Sequence, residues 1–192
     1  KLDYFSSIHL AMVLSALSKN PNTHSSTIIP LLVNSVNARA YEFSTPLELT
    51  MVVAALKRLK FDQVSTWSRI SVIIQGKMNQ RDLFFSIPEL VIIASSFTFQ
   101  DVSLFSKIRV QAFAQISQAT CPDLGKLVAI FPNEKDFVQT ATHMALGKIK
   151  YLSPTELIAT AAAWPKQFTS VSHAIVEAFL SSFSLFQMSQ VA

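Results

Sequence analysis

One short pattern constrains this chain more than any other feature. A hydroxyl residue is followed within two positions by proline, then by an acid and a leucine. It occurs as Thr45-Pro46-Leu47-Glu48-Leu49, Ser86-Ile87-Pro88-Glu89-Leu90, Thr120-Cys121-Pro122-Asp123-Leu124 and Ser153-Pro154-Thr155-Glu156-Leu157. Ser6-Ser7-Ile8-His9-Leu10 is a fifth, degenerate copy with His9 in place of the acid and no proline. The first residues lie 39, 41, 34 and 33 positions apart. The pattern starts helices: the hydroxyl accepts from the backbone three residues on, and the acid reaches back to the amide of the hydroxyl residue. Proline is tolerated at the first helical positions because those amides have no partner within the helix.

An apolar run follows each start, from Leu10, Leu49, Leu90, Leu124 and Leu157, with small residues near its middle that let a neighbouring helix approach closely. These first helices stop at Pro21, Pro132 and Pro165, or before the expected caps Asp62 and Asp101. Second helices are predicted over about Thr27 to Ala40 (with Pro30 near its start), Thr66 to Gly76, Val102 to Gln118, Glu134 to Ile149 and Phe168 to Phe186, where apolar residues recur three and four apart. A hairpin of this size cannot bury both apolar faces alone, so successive hairpins must share a core. The expected fold is all-α, an α-solenoid of about five helix-turn-helix repeats in one domain over 1–192, with units near 3–42, 43–82, 83–119, 120–150 and 151–192. An up-and-down bundle is the rival, but it needs no repeated starter. The chain opens on Lys1, the pattern of a processed form or of a fragment of a longer array whose targeting peptide is gone.

Several functions lack their residues. The single cysteine, Cys121, forms no internal disulfide and fits a reducing compartment. His9, His24, His143 and His173 have no metal spacing, and no glycine-rich phosphate loop occurs, so no metal or cofactor is expected. The apolar windows from Ser86 to Phe99 and from Leu152 to Trp164 are too short to cross a bilayer. Glu48, Glu89 and Glu156 fall one per repeat, which suits capping and not the convergent carboxylates of acid–base catalysis; the expectation is no enzyme. Most of the phenylalanines, at helical spacing, read as core, and Cys121 as a packed thiol.

The net charge of +4 leaves its distribution as the informative part. Lys57, Arg58 and Lys60 close a first helix, where cations complement its dipole. Arg39, Arg69, Lys77, Lys107, Arg109, Lys148 and Lys150 lie on or just after second helices, with few acids among them. If they share a face they form a stripe suited to a phosphate backbone, bound through charge and with little sequence preference. The last helix, with Phe179, Phe183 and Phe186, lacks a polar outer face and is expected to dock a partner protein.

The segments Phe85-Ser86-Ile87-Pro88-Glu89-Leu90-Val91-Ile92-Ile93-Ala94 and Leu152-Ser153-Pro154-Thr155-Glu156-Leu157-Ile158-Ala159-Thr160-Ala161 resemble the repeat starts of octotricopeptide-like, FASTK-like and RAP-domain proteins. The resemblance implies a mitochondrial matrix protein that binds RNA, in RNA processing or editing or in the structure and assembly of the mitochondrial ribosome. Neither a RAP domain nor a nuclease-like carboxylate cluster accompanies it, so no cleavage is expected. Pentatricopeptide repeats are a nearby alternative, but their strict period does not fit these intervals. The functional expectation is a non-catalytic RNA-binding or ribonucleoprotein scaffold; the alternative is a protein–protein scaffold of armadillo or HEAT type within a larger complex.

Overall fold

The computed structural model describes residues 4–23, 27–80, 83–97 and 101–188, with residue 23 and residues 183–188 described by backbone alone. Among these residues it is all-helical, with ten α-helices and no strand. The chain forms two compact units, residues 1–111 and 112–192.

The first unit holds α1 (Ser7–Ser18), α2 (Ile28–Ala38), α3 (Pro46–Arg58), α4 (Val64–Met78), α5 (Ile87–Ser96) and most of α6 (Val102–Ala114). Here α1 packs on α3 and α3 on α5, so first helices lie against first helices, while α2 closes on α1 and α4 on α3. Their shared seam is apolar: Leu10, Leu14, Leu49, Val53, Leu56, Leu90 and Ile93 are all buried. The second unit repeats the plan with α7 (Cys121–Ile130), α8 (Lys135–Ile149), α9 (Pro154–Ala163) and α10 (Thr169–Met188). There α7 packs on α9, and α8 and α10 close on their own first helices and on each other.

The starter motif does the local work expected of it, with graded completeness. Full capping boxes form at Thr45/Glu48, Ser86/Glu89 and Ser153/Glu156. At α7 the Thr120 hydroxyl donates to Asp123 at 2.6 Å and accepts from its amide at 3.3 Å. The shorter aspartate makes no return bond to the cap amide, so only half the box is present. In the degenerate first copy, Ser6 Oγ and His9 Nδ1 lie 2.9 Å apart, but Ser6 makes no side-chain bond to the helix backbone and no box forms.

The second helices begin less uniformly. Asp101 caps α6 as expected, Oδ1 accepting from the Leu104 amide at 3.0 Å while Oδ2 accepts from Ser71 and Gln75 of α4. Asp62 does not cap α4. That helix begins after Gln63 without a side-chain cap, and its entry is held instead by Trp67, whose indole donates to the Phe61 carbonyl at 2.8 Å. The helix expected over Val102 to Gln118 stops at Ala114, and a separate 3-10 turn covers Ile116–Gln118.

The α3–α4 turn closes on an unusual residue. Phe61 donates to the Leu56 carbonyl and Lys60 to that of Lys57, the two bonds that end a helix in a left-handed turn, and Lys60 takes φ 52°. Glycine suits this conformation better than any residue with a Cβ. Lys60→Gly is therefore expected to raise stability by about 0.5–1 kcal/mol, measured as a shift of the urea midpoint at unchanged slope.

Candidate nucleic-acid interface

The basic residues expected to meet phosphate fall into distinct local settings. Lys57 and Arg58, in the last turn of α3, point to different neighbours: Lys57 Nζ donates to the Ser95 carbonyl of α5 at 2.6 Å, and Arg58 reaches Ser18 Oγ at the end of α1 at 3.4 Å. Lys60 is exposed in the turn that follows.

On the second helices of the first unit a repeated device appears. Arg69 and Lys107 are each the sixth residue of their helices, within the related segments Val64-Ser65-Thr66-Trp67-Ser68-Arg69-Ile70 and Val102-Ser103-Leu104-Phe105-Ser106-Lys107-Ile108. Arg69 donates to the Asn37 carbonyl near the end of α2 at 3.0 Å, and Lys107 donates to the Asn79 side chain at the end of α4. Each cation thus reaches back to the C-terminus of the preceding second helix, where unpaired carbonyls and the dipole favour positive charge. Lys77, in the last turn of α4, and Arg109, on α6, are half-buried. In the second unit, Lys148 binds the Ser117 and Ala119 carbonyls at 2.9 and 2.7 Å.

The oxygens that hold Lys57, Arg69, Lys107 and Lys148 are therefore carbonyl, or amide at Asn79, and not carboxylate. These contacts order the cations without neutralising their charge. Within the first unit the candidates belong to different elements: Lys57, Arg58 and Lys60 to the end of α3 and the turn after it, and Arg69, Lys77, Lys107 and Arg109 to the second helices.

The tyrosines belong to no motif in the sequence. Tyr4 is 81% exposed, Tyr41 67%, Phe84 66% and Tyr151 78%, and each stands in the segment leading into a first helix. Beside them, Phe43 and Phe85 are fully buried, so at those two entries one aromatic anchors the segment and the other is left in solvent. Two of the exposed rings carry a cation: the Arg69 guanidinium lies 5.7 Å from the Tyr41 centroid and the Lys150 ammonium 4.8 Å from that of Tyr151. The available signal was positional, an aromatic two to four residues ahead of a capping hydroxyl.

Glu48, Glu156 and Cys121 are engaged structurally. Burial, the largest single influence on Glu48, pushes its carboxyl up, but hydrogen bonds from Thr45, Ser7 and Ser44 together outweigh it and hold the carboxyl below the usual range. Hydrogen bonds from Ser153 lower Glu156 likewise. Cys121 lies in a cleft of about 380 Å³ with Lys148, Leu152 and Glu156. The helix dipole at this first-turn position favours a thiolate, but burial pushes the thiol up and Lys148 only partly opposes it. The thiol stays protonated and packed. Among the described residues, no group of three or more histidine, cysteine and acidic side chains is placed to hold a metal, and no helix is long and apolar enough to cross a membrane.

Of the aromatic residues expected to dock a partner, Phe179 is half-buried on α10, while the side chains of Phe183 and Phe186 lie outside the described ones. No family model and no curated protein matches this chain in sequence.

Proposed function

We propose that the five hairpins form one α-solenoid that binds RNA as a non-catalytic scaffold of a ribonucleoprotein in the mitochondrial matrix. The solenoid is supported by the same packing of first helix on first helix in each unit. The organelle, and a role in RNA processing, RNA editing or the mitochondrial ribosome, rest on the resemblance of residues 85–94 and 152–161 to organellar repeat starts.

The observation that carries the RNA reading is the exposed aromatic paired with a cation at Tyr41/Arg69 and Tyr151/Lys150. With a cation over one face of the tyrosine ring, the other face offers a platform for an unstacked base, and the cation meets the adjoining phosphate. Cations held by carbonyl oxygens keep their full charge for the nucleic-acid backbone, whereas carboxylate partners would cancel it. With few base-reading groups in such an arrangement, affinity comes from stacking and counterion release, and sequence preference is small.

Fluorescence anisotropy with labelled RNAs of roughly 25 nucleotides, one single-stranded and one structured, tests this reading at about 50 and 200 mM salt. Binding is expected to be favoured by low salt and to weaken steeply as salt rises. Tyr41→Ala and Tyr151→Ala are each expected to weaken it by roughly 5- to 100-fold, the value of a stacked base. No binding at low salt, or binding indifferent to salt, overturns the RNA reading; unchanged affinity in both tyrosine variants removes the stacking platform.

A further inference from the structure

The space between α8 and the turn into α10 lies wholly inside the second unit. Gln139, Thr142, His143 and Leu146 recur three and four residues apart, on one side of α8. With Thr140, and with Phe168 from the turn, they line a cleft of about 550 Å³. Leu146, 38% exposed, and the half-buried Phe168 form its apolar part. The remainder is an amide, two hydroxyls and an imidazole, and the described lining holds neither an acid nor a lysine or arginine.

These polar groups are not engaged by the fold. Among the described residues, the side chains of Gln139, Thr140 and His143 make no hydrogen bond within the protein, and the Thr142 hydroxyl oxygen is buried without a partner. A buried oxygen in that state is destabilising unless something else supplies its bond. An apolar surface with a few convergent polar groups, in a space of this size, is the usual build of a small-ligand site.

The chemistry of the lining selects the ligand. No charged group faces the cleft, so the moiety that enters is neutral; the apolar part suits a flat ring, and the amide, hydroxyls and imidazole need donors and acceptors along its edge. A nucleobase has this form. The glutamine amide sets one donor beside one acceptor, the complement of adenine N6 and N7. Guanine presents two acceptors, O6 and N7, and is matched by arginine or lysine, which the cleft lacks.

The cleft also continues toward one of the exposed aromatic rings. Leu146 lines a second cleft, of about 310 Å³, that extends to Lys150. The Lys150 ammonium in turn lies over the Tyr151 ring. The acid of this second cleft, Glu177, lies 3.4 Å from His173. Lys135 is exposed one turn before Gln139 and Lys150 one turn after Leu146, so a cation stands beyond each end of the polar row.

We propose that the cleft binds one adenine ring, extruded from an RNA strand that stacks a nearby base on Tyr151 and sets a phosphate against Lys150. It gives an otherwise sequence-indifferent surface one position of preference. The origin of the adenine in RNA rests on the reading above, whereas the fit of the ring to the cleft does not.

Titration with AMP, GMP, CMP and UMP, with ribose 5-phosphate as the control, tests the proposal. Binding is followed by NMR at fixed pH through the imidazole protons, that of His143 being identified by its loss in His143→Gln. AMP is expected to shift the His143 signal saturably with a Kd of about 1 mM. The other three nucleotides are expected to bind at least about tenfold more weakly, and Gln139→Ala to weaken AMP by about tenfold, the value of one bidentate pair. Gln139 is exposed, and its variant is checked by circular dichroism; the selectivity of the wild-type chain decides the matter even if that variant misfolds. An unmoved His143 signal, equal shifts from all four nucleotides, a shift from ribose 5-phosphate, or undiminished AMP binding by folded Gln139→Ala would each overturn the adenine site. RNA binding with His143 unmoved by AMP sinks this proposal alone. AMP selectivity in a chain that binds no RNA leaves the adenine site standing and removes the RNA reading.

Discussion

Trp164→Ala is expected to lower stability by about 3–5 kcal/mol, the range for deleting a buried aromatic side chain from a core. Trp164 ends α9 and is only 5% exposed; its indole donates to the Cys121 carbonyl at 3.0 Å, and its ring meets Phe168 edge-on at 5.8 Å. One side chain therefore ties the end of its own helix to α7 and to the entry of α10. Gly125 is its counterpart. A Cβ built there would lie 2.6 Å from Trp164 Cδ1 and 2.9 Å from Cγ and Nε1, distances real side chains do not tolerate.

Gly125→Ala consequently sets two effects against each other. Alanine stabilises a helix interior by about 1 kcal/mol relative to glycine. Overpacking costs about 1–3 kcal/mol, and a displaced indole that loses its buried acceptor adds about 1–3 kcal/mol. The clash wins, for a net loss of about 2 kcal/mol. Urea unfolding of both single variants and the double variant checks the coupling. In the double variant the alanine at 125 should cost little or become favourable, because the ring it strikes is gone. Additive losses would show that Gly125 is not there to admit Trp164.

Glu48→Ala is expected to cost about 3 kcal/mol, because it strands buried donors that the carboxylate now satisfies. Glu48 is 4% exposed. Its Oε2 accepts from the Ser44 and Thr45 amides at 2.8 and 2.9 Å and from both hydroxyls, and Oε1 accepts from Ser7 of α1 at 2.9 Å. A motif that begins as a local helix cap thus also joins two first helices. Glu48→Gln, which keeps the shape and loses the charge, is expected to cost about 1 kcal/mol, the difference between charge-assisted and neutral hydrogen bonds.

The titration follows from the direction of the shift. The folded carboxyl binds its proton less readily than the unfolded one, so its contribution is complete above the unfolded pKa of about 4.3 and is lost as pH falls through the lower folded value. Denaturant midpoints between pH 7 and pH 3 should fall less steeply below pH 4 in Glu48→Gln than in the wild-type chain. Parallel curves would mean that protonation of other groups governs acid unfolding.

The helix starts were legible because capping is local chemistry. A hydroxyl, an acid three residues on and an early proline decide the backbone at Thr45, Ser86 and Ser153 whatever packs around them, whereas the copy with His9 starts its helix without a side-chain cap. The second helices were legible in kind but not at their edges, since nothing as local begins them: α4 starts after Gln63 through the Trp67 indole, not through Asp62. Element order, the proline positions and the packing of α2 on α1, α4 on α3, α8 on α7 and α10 on α9 were likewise present in the one-dimensional pattern.

Tertiary structure alone decided where the charges and aromatics went. Composition places Arg69, Lys107 and Lys148 on second helices, but only folding brings carbonyl and amide oxygens about thirty residues away in sequence within their reach. Phe84 and Phe85 are adjacent and chemically identical, yet one is in solvent and the other fully buried. The physical reason is range: a cap is satisfied within one helical turn, whereas exposure and ion pairing depend on which distant surface a side chain meets. That surface exists only once the helices have packed.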